Sequence, residues 1–160
     1  MIRPLLSRRL VLGGTVLLGV GLGVPLGRAR AATLVQVRKQ RGCSCCDGWV
    51  EHLRANGFIC EVSTLDDLTS VKANLGVPEA LRSCHTATAE GYVVEGHVPA
   101  SALRRLLAER PAIQGLAVPG MPLGSPGMPG EPVDEYAVIA FAKDGTQRTF
   151  MRFSGERETI

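Results

Sequence analysis

From residue 33 onward, apolar residues recur at two different spacings that alternate along the chain. Thr33 to Lys39 and Phe58 to Ser63 place apolar side chains at every second position, which predicts two strands. Between them the apolar residues recur every three or four positions up to Gly57, which predicts a helix that ends at this glycine. The chain therefore begins its patterned part as strand, helix, strand.

The pattern then continues through a second and a third helix. The second is predicted to begin at Asp66 or Asp67 and to carry Leu68, Val71 and Leu75 on its apolar face. Two short strands joined at Glu90-Gly91 and a helix over Ser101–Arg110 follow. A β-α-β-α-β-β-α order predicts an α/β fold with a small mixed β-sheet flanked by helices.

Residues 115–132 break this pattern, because ten of these 18 positions are Gly or Pro. Such a composition excludes a helix or a central strand and predicts an added Gly/Pro/Met-rich loop. After it, Tyr136–Ala142 and Gln147–Phe153 regain strand character around the turn Lys143–Thr146. These two segments predict a C-terminal hairpin.

The charges change the interpretation of the first 31 residues. The chain has 18 Lys and Arg against 15 Asp and Glu, and five of the basic residues but no acidic one lie before residue 32. Residues 32–160 therefore carry a net charge near −2. With four Phe, two Tyr and one Trp, the chain has no stacking surface for single-stranded nucleic acid, so a nucleic-acid partner is not expected.

Residues 1–31 have the organisation of an export signal. A basic start precedes the apolar run Leu10–Leu26 and the small-x-small sequence Ala29-Arg30-Ala31. The run is too short for a spanning helix, and Arg8-Arg9 is similar to a twin-arginine signal. We expect a single mature domain at residues 32–160 in the periplasm, without a stable membrane span after cleavage. An uncleaved N-terminal anchor is the alternative.

Three of the five cysteines form the sequence Cys43-Ser44-Cys45-Cys46, between a predicted strand and a predicted helix. A C-x-x-C pair at a helix start is typical of thioredoxin-like redox sites, because the helix N-terminus stabilises a thiolate. A third thiol exceeds what disulfide exchange needs, and clustered thiolates favour Cu(I). Zinc fits less well, since a structural zinc site would want a second ligand pair. Purely structural disulfides are a further alternative.

The remaining soft side chains are candidates of different kinds. His85 adjoins Cys84 and could bind a metal or activate the thiol, whereas Cys60 is predicted to be a core thiol on a face with Phe58 and Val62. Three further residues are candidate metal ligands: His97, Met121 and Met128.

Several sequence blocks together resemble the CopG-type copper-resistance proteins, a family formerly labelled as a domain of unknown function. The blocks are Gly42-Cys43-x-Cys45-Cys46-x-Gly48-Trp49-Val50, Leu75-Gly76-Val77-Pro78, Ser83-Cys84-His85-Thr86-Ala87, residues 91–99 and residues 115–128. The resemblance implies a thioredoxin-like fold, export to the periplasm and metal binding centred on the C-x-C-C loop, with Cys84 close to Cys43, Cys45 and Cys46. It also places His85-Thr86 where redox enzymes of that fold carry a cis-Pro-Thr facing the cysteines.

The leading hypothesis is an exported protein that binds Cu(I) for copper resistance or homeostasis. Its ligands would be Cys43, Cys45, Cys46 and Cys84, with His85 completing the site and the Gly/Pro/Met loop covering it. Copper ions, and other periplasmic copper-handling proteins, would be its partners. The alternative is an enzyme, either a thiol-disulfide oxidoreductase or a thiol-dependent copper reductase that uses Cys43 and Cys46. A structural or interaction module is the third class.

Overall fold

A computed structural model of the protein describes residues 32–160, so the predicted export signal at residues 1–31 lies outside the described residues. The strands are β1 (Leu34–Gln40), β2 (Ile59–Leu65), β3 (His85–Ala89), β4 (Tyr92–Glu95), β5 (Gly115–Ala117), β6 (Glu135–Phe141), β7 (Gln147–Ser154) and β8 (Arg157–Thr159). The helices are α1 (Ser44–Ala55), α2 (Thr69–Asn74) and α3 (Ala100–Glu109), with a short 3₁₀ turn at Glu79–Leu81. Within residues 32–160, none of the helices has the length and apolar character to span a membrane.

All eight described strands form one sheet in the order β2-β1-β3-β4-β5-β6-β7-β8. The pairs β1–β2 and β4–β5 are parallel, and every other neighbouring pair is antiparallel. The mixed α/β class is thus confirmed, but the prediction of a small sheet is wrong. The predicted C-terminal hairpin, β6 and β7, extends the same sheet rather than standing apart from it.

The sheet is continuous because Gly115–Ala117 forms the central strand β5, where sequence composition had excluded one. Gly115 is compatible with this position because the chain of β4 passes unusually close: a Cβ added there would lie 2.1 Å from the Val93 carbonyl oxygen. Leu116 and Ala117 are fully buried. The high glycine content at this point therefore permits close strand pairing instead of preventing it.

Helices cover both faces of the sheet. Trp49 and Leu53 of α1 and Leu103 and Leu106 of α3 pack in the main core, which also contains Val35, Ala87, Val94 and Val138. A smaller core on the other face consists of Val77, Leu81, Val93, Ala117 and Phe141. Since successive side chains of a strand point to opposite faces, His85 shares a face with Ala87, while Thr86 points to the side of α2.

Two details of the predicted apolar faces are wrong. On α2 the buried residue is Lys72, whereas Val71 and Leu75 are only half-buried. The Lys72 side chain can be buried because its ammonium group is paired with the buried carboxylate of Glu95. On β2 the side chain of Val62 is 40% exposed, and Cys60 is half-buried against the main core. Among residues 32–160, β2 is an edge strand of the sheet and pairs only with β1.

Candidate metal centre

The sulfur-rich end of the molecule begins with the turn that follows β1. Gly42 adopts a left-handed conformation, and Cys43 follows as the N-cap of α1. Cys45 and Cys46 lie in the first turn of this helix, where several backbone N–H groups have no helical acceptor. Cys43 and Cys46 are joined by a disulfide, and the Cys45 thiol lies 3.5 Å from the Cys43 sulfur.

Cys84, which immediately precedes β3, brings a fourth sulfur from a distant part of the chain. Its Sγ lies 3.8 Å from Cys45 Sγ, and Cys46 Sγ lies 3.9 Å from the carbonyl oxygen of Cys84. The four sulfur atoms of Cys43, Cys45, Cys46 and Cys84 all lie within 4.8 Å of one another. One metal ion, or a small cluster of ions bridged by sulfur, would be in reach of all of them once the disulfide is reduced.

Two buried histidines adjoin the Cys84 thiol. His97 Nε2 lies 3.1 Å and His85 Nδ1 lies 3.3 Å from Cys84 Sγ. These three ligand atoms also lie within 4.8 Å of one another. Because His97 Nδ1 donates to the Pro126 carbonyl at 2.7 Å, its Nε2 keeps a lone pair toward the sulfur. The two groups of ligand atoms share Cys84 and so form one continuous site.

Burial keeps these imidazoles neutral. Desolvation lowers the pKa of His97, and it lowers the pKa of His85 further, with contributions from the neighbouring His97 and from the Lys72 charge. The His85 ring packs on Trp49, with 4.3 Å between the ring centroids. Its Nε2 atom is buried and has no hydrogen-bond partner among the described residues. A neutral imidazole is the form that binds a soft metal.

The thiol of Cys84 is also held in its neutral form. Burial and the neighbouring Cys45 raise the pKa of Cys84 to about 12. Loss of its proton at neutral pH therefore requires something that binds the thiolate, such as a metal ion. Four thiols with two neutral imidazoles make a soft donor set, and this fits copper better than a hard cation such as magnesium.

The Gly/Pro/Met-rich loop lies directly on the start of α1. A Cβ on Gly127 would be 2.4 Å from the Cys45 carbonyl oxygen, and one on Gly48 would be 2.9 Å from Gly127 Cα. Only glycines at positions 48 and 127 permit such a close contact between the loop and α1. In this position of the loop, the Pro126 carbonyl accepts a hydrogen bond from His97 Nδ1. Met121 is 53% exposed and Met128 is half-buried. Metal binding by these two methionines stays a prediction.

Two buried lysines flank the site on opposite faces of the sheet, and the sequence analysis had not singled them out. Lys39 of β1 forms an ion pair with Asp47 at 2.7 Å and lies 3.5 Å from the Cys43 carbonyl oxygen. Lys72 of α2 forms a 2.6 Å ion pair with the fully buried Glu95. The signal that could have found Glu95 is a charged residue at the end of the apolar strand Tyr92–Glu95.

A signal for His97 was also present in the sequence. The hairpin turn at Glu90-Gly91 was predicted, and the observed register pairs Thr86 with Glu95. Continuing an antiparallel register by two residues in each strand brings Cys84 opposite His97. Sequence spacing alone made His97 one of several additional candidate metal ligands. The hairpin register places it in direct contact with Cys84.

Known proteins resemble this chain in sequence and in fold. Residues 81–128 match a family model described as "Protein of unknown function, DUF411". No curated protein matches the chain. Two solved structures named "Copper resistance protein copG- Form 1" and "Copper resistance protein copG- Form 2" share 41% sequence identity with it, each with a TM-score of 0.73. The matches cover 78% and 76% of this chain and 99% and 98% of the two solved chains.

The chain belongs to the CopG family of copper resistance proteins. This confirms the resemblance that the sequence blocks indicated. Membership of the CopG family and the cysteine cluster together indicate metal binding, with copper as the metal.

The close contact at Gly127 generates a test of the loop. We expect Gly127→Ala to lift the loop from α1, because the new methyl group cannot fit between the Cys45 carbonyl and the Trp49 N–H. Gly120→Ala is the matched control: Gly120 is in the same loop and is also left-handed, but nothing lies within 4 Å of its added Cβ. Urea unfolding should show that Gly127→Ala costs about 1–3 kcal/mol more than Gly120→Ala. Equal losses would contradict the packing described here.

Proposed function

We propose that this protein is an exported copper-binding protein that holds Cu(I) through the thiolates of Cys43, Cys45, Cys46 and Cys84. The observation that carries the proposal is that these four sulfur atoms lie within 4.8 Å of one another. Cu(I) is a soft ion that prefers thiolate ligands, and clustered thiolates can bridge several such ions. Copper held in this way is withdrawn from other thiols, which fits a role in copper resistance.

His85 and His97 complete the proposed site as neutral nitrogen ligands beside Cys84. Met121 and Met128 are candidate thioether ligands from the loop that lies over the site. Zinc is the less suitable metal, because the sequence supplies one C-x-x-C pair and the lone Cys84-His85 instead of two separated ligand pairs. Copper ions are thus the cargo, and other copper-handling proteins would deliver or accept them.

We also propose a thioredoxin-like core and an export route. The strand order β2-β1-β3-β4, with α1 and α3 on one face and α2 on the other, supports such a core, to which β5–β8 add four strands. Residues 1–31 would be a cleaved, twin-arginine-like export signal, and residues 32–160 the mature periplasmic domain. An uncleaved anchor would keep the same domain at the membrane.

One specific observation favours a second candidate function, that of a thiol-disulfide oxidoreductase or a thiol-dependent copper reductase. The Cys43–Cys46 disulfide caps α1, where the helix N-terminus stabilises a leaving thiolate. A donor thiolate would attack one sulfur of the disulfide and release the other as a thiolate, and a second donor thiol would then complete the exchange. As a copper reductase, the Cys43/Cys46 dithiol would reduce two Cu(II) to two Cu(I), release two protons and close the disulfide.

The first test of copper binding is stoichiometry. Fully reduced protein should bind more than one Cu(I) against a competing chelator, because four thiolates exceed what one linear or trigonal Cu(I) needs. A variant in which alanine replaces all four cysteines of the cluster (Cys43, Cys45, Cys46 and Cys84) should not bind Cu(I). Cys60→Ala is the control, since Cys60 lies outside the cluster. Unchanged stoichiometry in the fourfold variant would refute the proposal, and loss of stability alone would favour a structural module.

A second test uses pH. Because the pKa of Cys84 is raised to about 12, the metal-free thiol carries its proton at pH 7 and must release it on binding. The affinity of wild-type protein for Cu(I) should therefore increase from pH 6 to pH 8, by up to about tenfold per pH unit for each proton displaced. His85 and His97 should contribute no proton, as their pKa values are lowered. Cys84→Ser should show a smaller slope, and a pH-independent affinity would contradict this assignment.

A third test separates the two candidate functions. The protein is incubated with a protein dithiol, and the reduced fraction of the Cys43–Cys46 pair is measured. This fraction reports any redox turnover. Cys45→Ala removes a cluster sulfur but leaves the disulfide intact, so it should weaken Cu(I) binding while keeping exchange. If Cys45→Ala has no effect on Cu(I) binding while Cys46→Ala abolishes catalytic exchange, the enzyme function is the better assignment.

A further inference from the structure

A fully buried carboxylate lies beside the site, on the opposite face of the sheet from His85. Glu95 Oε1 accepts from Lys72 Nζ and from the Ser83 backbone N–H, each at 2.6 Å. Its Oε2 accepts from the Thr86 hydroxyl at 2.6 Å, and that hydroxyl in turn accepts from Lys72 at 2.7 Å. We call this group of Glu95, Lys72, Ser83 and Thr86 the carboxylate clamp.

The carboxylate clamp contacts the chain on both sides of Cys84 and His85, the two candidate ligands that are distant in sequence from the C-x-C-C loop. Ser83 immediately precedes Cys84, and Thr86 immediately follows His85, so one carboxylate holds the chain on both sides of the pair. β3 begins only at His85, and the segment that carries Cys84 therefore lies just outside the sheet. The hydrogen bond to Ser83 thus restrains a part of the chain that strand pairing does not.

A stabilising role alone does not account for such a group. A buried ion pair costs much desolvation free energy, and apolar residues of similar volume are often as stable or more so. Here the ion pair lies on the face of the sheet that carries the smaller apolar core of Val77, Leu81 and Val93. Unlike an apolar side chain, the Glu95 carboxylate supplies two oxygens that accept hydrogen bonds from the Ser83 N–H and the Thr86 hydroxyl.

We propose that Glu95 is a positioning residue for the metal centre, and that the carboxylate clamp sets where the Cys84 sulfur lies relative to the C-x-C-C loop. The clamp keeps Cys84 Sγ 3.8 Å from Cys45 Sγ and 3.1 Å from His97 Nε2. This inference rests on the proposed function as far as copper is concerned. The distance between the two thiols, however, can be tested without any metal.

The decisive variant replaces the charged pair by apolar residues, as Glu95→Leu with Lys72→Met in the full chain. It leaves no buried charge unpaired, so we expect it to fold, with a melting temperature lowered only by the lost partners of the Thr86 hydroxyl and the Ser83 N–H. It should nevertheless bind Cu(I) about tenfold or more weakly and with an altered sulfur-to-copper absorption band, because groups that orient metal ligands have effects of that size. Glu95→Gln with Lys72→Met restores an uncharged acceptor and should recover most of the affinity.

A metal-free measurement tests the positioning itself. With Cys43→Ser and Cys46→Ser present, glutathione disulfide can oxidise Cys45 and Cys84 to a disulfide, as two thiols lose two protons and two electrons and glutathione disulfide becomes two glutathione thiols. The apolar pair should lower the equilibrium fraction of this disulfide, and the Gln/Met pair should restore it. Val93→Ala is the control: it lies two residues before Glu95 and loses packing without touching the clamp.

The outcomes separate the two ideas. Wild-type copper affinity and wild-type disulfide formation in the apolar pair would overturn the positioning role. An equal loss of both in Val93→Ala would also overturn it, because general destabilisation would then suffice. If copper binding in the wild type does not depend on the cysteines, the proposed function fails, and the disulfide measurement alone still decides whether the clamp positions Cys84.

Discussion

The antiparallel pairing of β3 with both β1 and β4 is the constraint on which the whole site depends. Pairing with β1 puts His85 beside Lys39, one residue before β1 ends and the chain turns into the C-x-C-C loop. Pairing with β4, continued two residues beyond the strand, puts His97 on Cys84. The cysteines therefore meet because backbone hydrogen bonds align three strands, and the sulfur chemistry follows from that alignment.

Most of the buried polar groups around this meeting point are paired. His97 has the Pro126 carbonyl, Lys39 has the exposed Asp47, and Lys72 has the buried Glu95. Three buried side-chain atoms have no hydrogen-bond partner among the described residues, namely His85 Nε2, Arg38 Nη1 and Arg82 Nε. A low dielectric makes an unpaired buried group costly. The surroundings thus favour neutral imidazoles and a raised pKa of the Cys84 thiol, which keeps its proton until a soft ion replaces it.

The local elements were largely predictable, and the failures have a common cause. Apolar alternation and helical spacing indicated β1 and α3 within one residue of their observed bounds, and the end of α1 within two residues. β5 was not predicted, because Gly115 indicates a break in a strand unless the neighbouring chain lies too close for a residue with a Cβ. Helical spacing also placed Val71 inside instead of Lys72, because periodicity cannot reveal that a lysine has a buried partner 23 residues further on.

The sequence by itself determined the chemistry: a C-x-C-C loop at a helix start, a Cys-His pair, and blocks typical of a copper-resistance family. Tertiary structure decided which of these donors meet. It brought Cys84 to the C-x-C-C loop and placed His97 in direct contact with Cys84. It also let the Glu95 carboxylate accept hydrogen bonds from Ser83 and Thr86, the residues on either side of Cys84 and His85. The reason is physical: side-chain identity is local, whereas contact between residues 39 positions apart depends on strand register and on the burial that register creates.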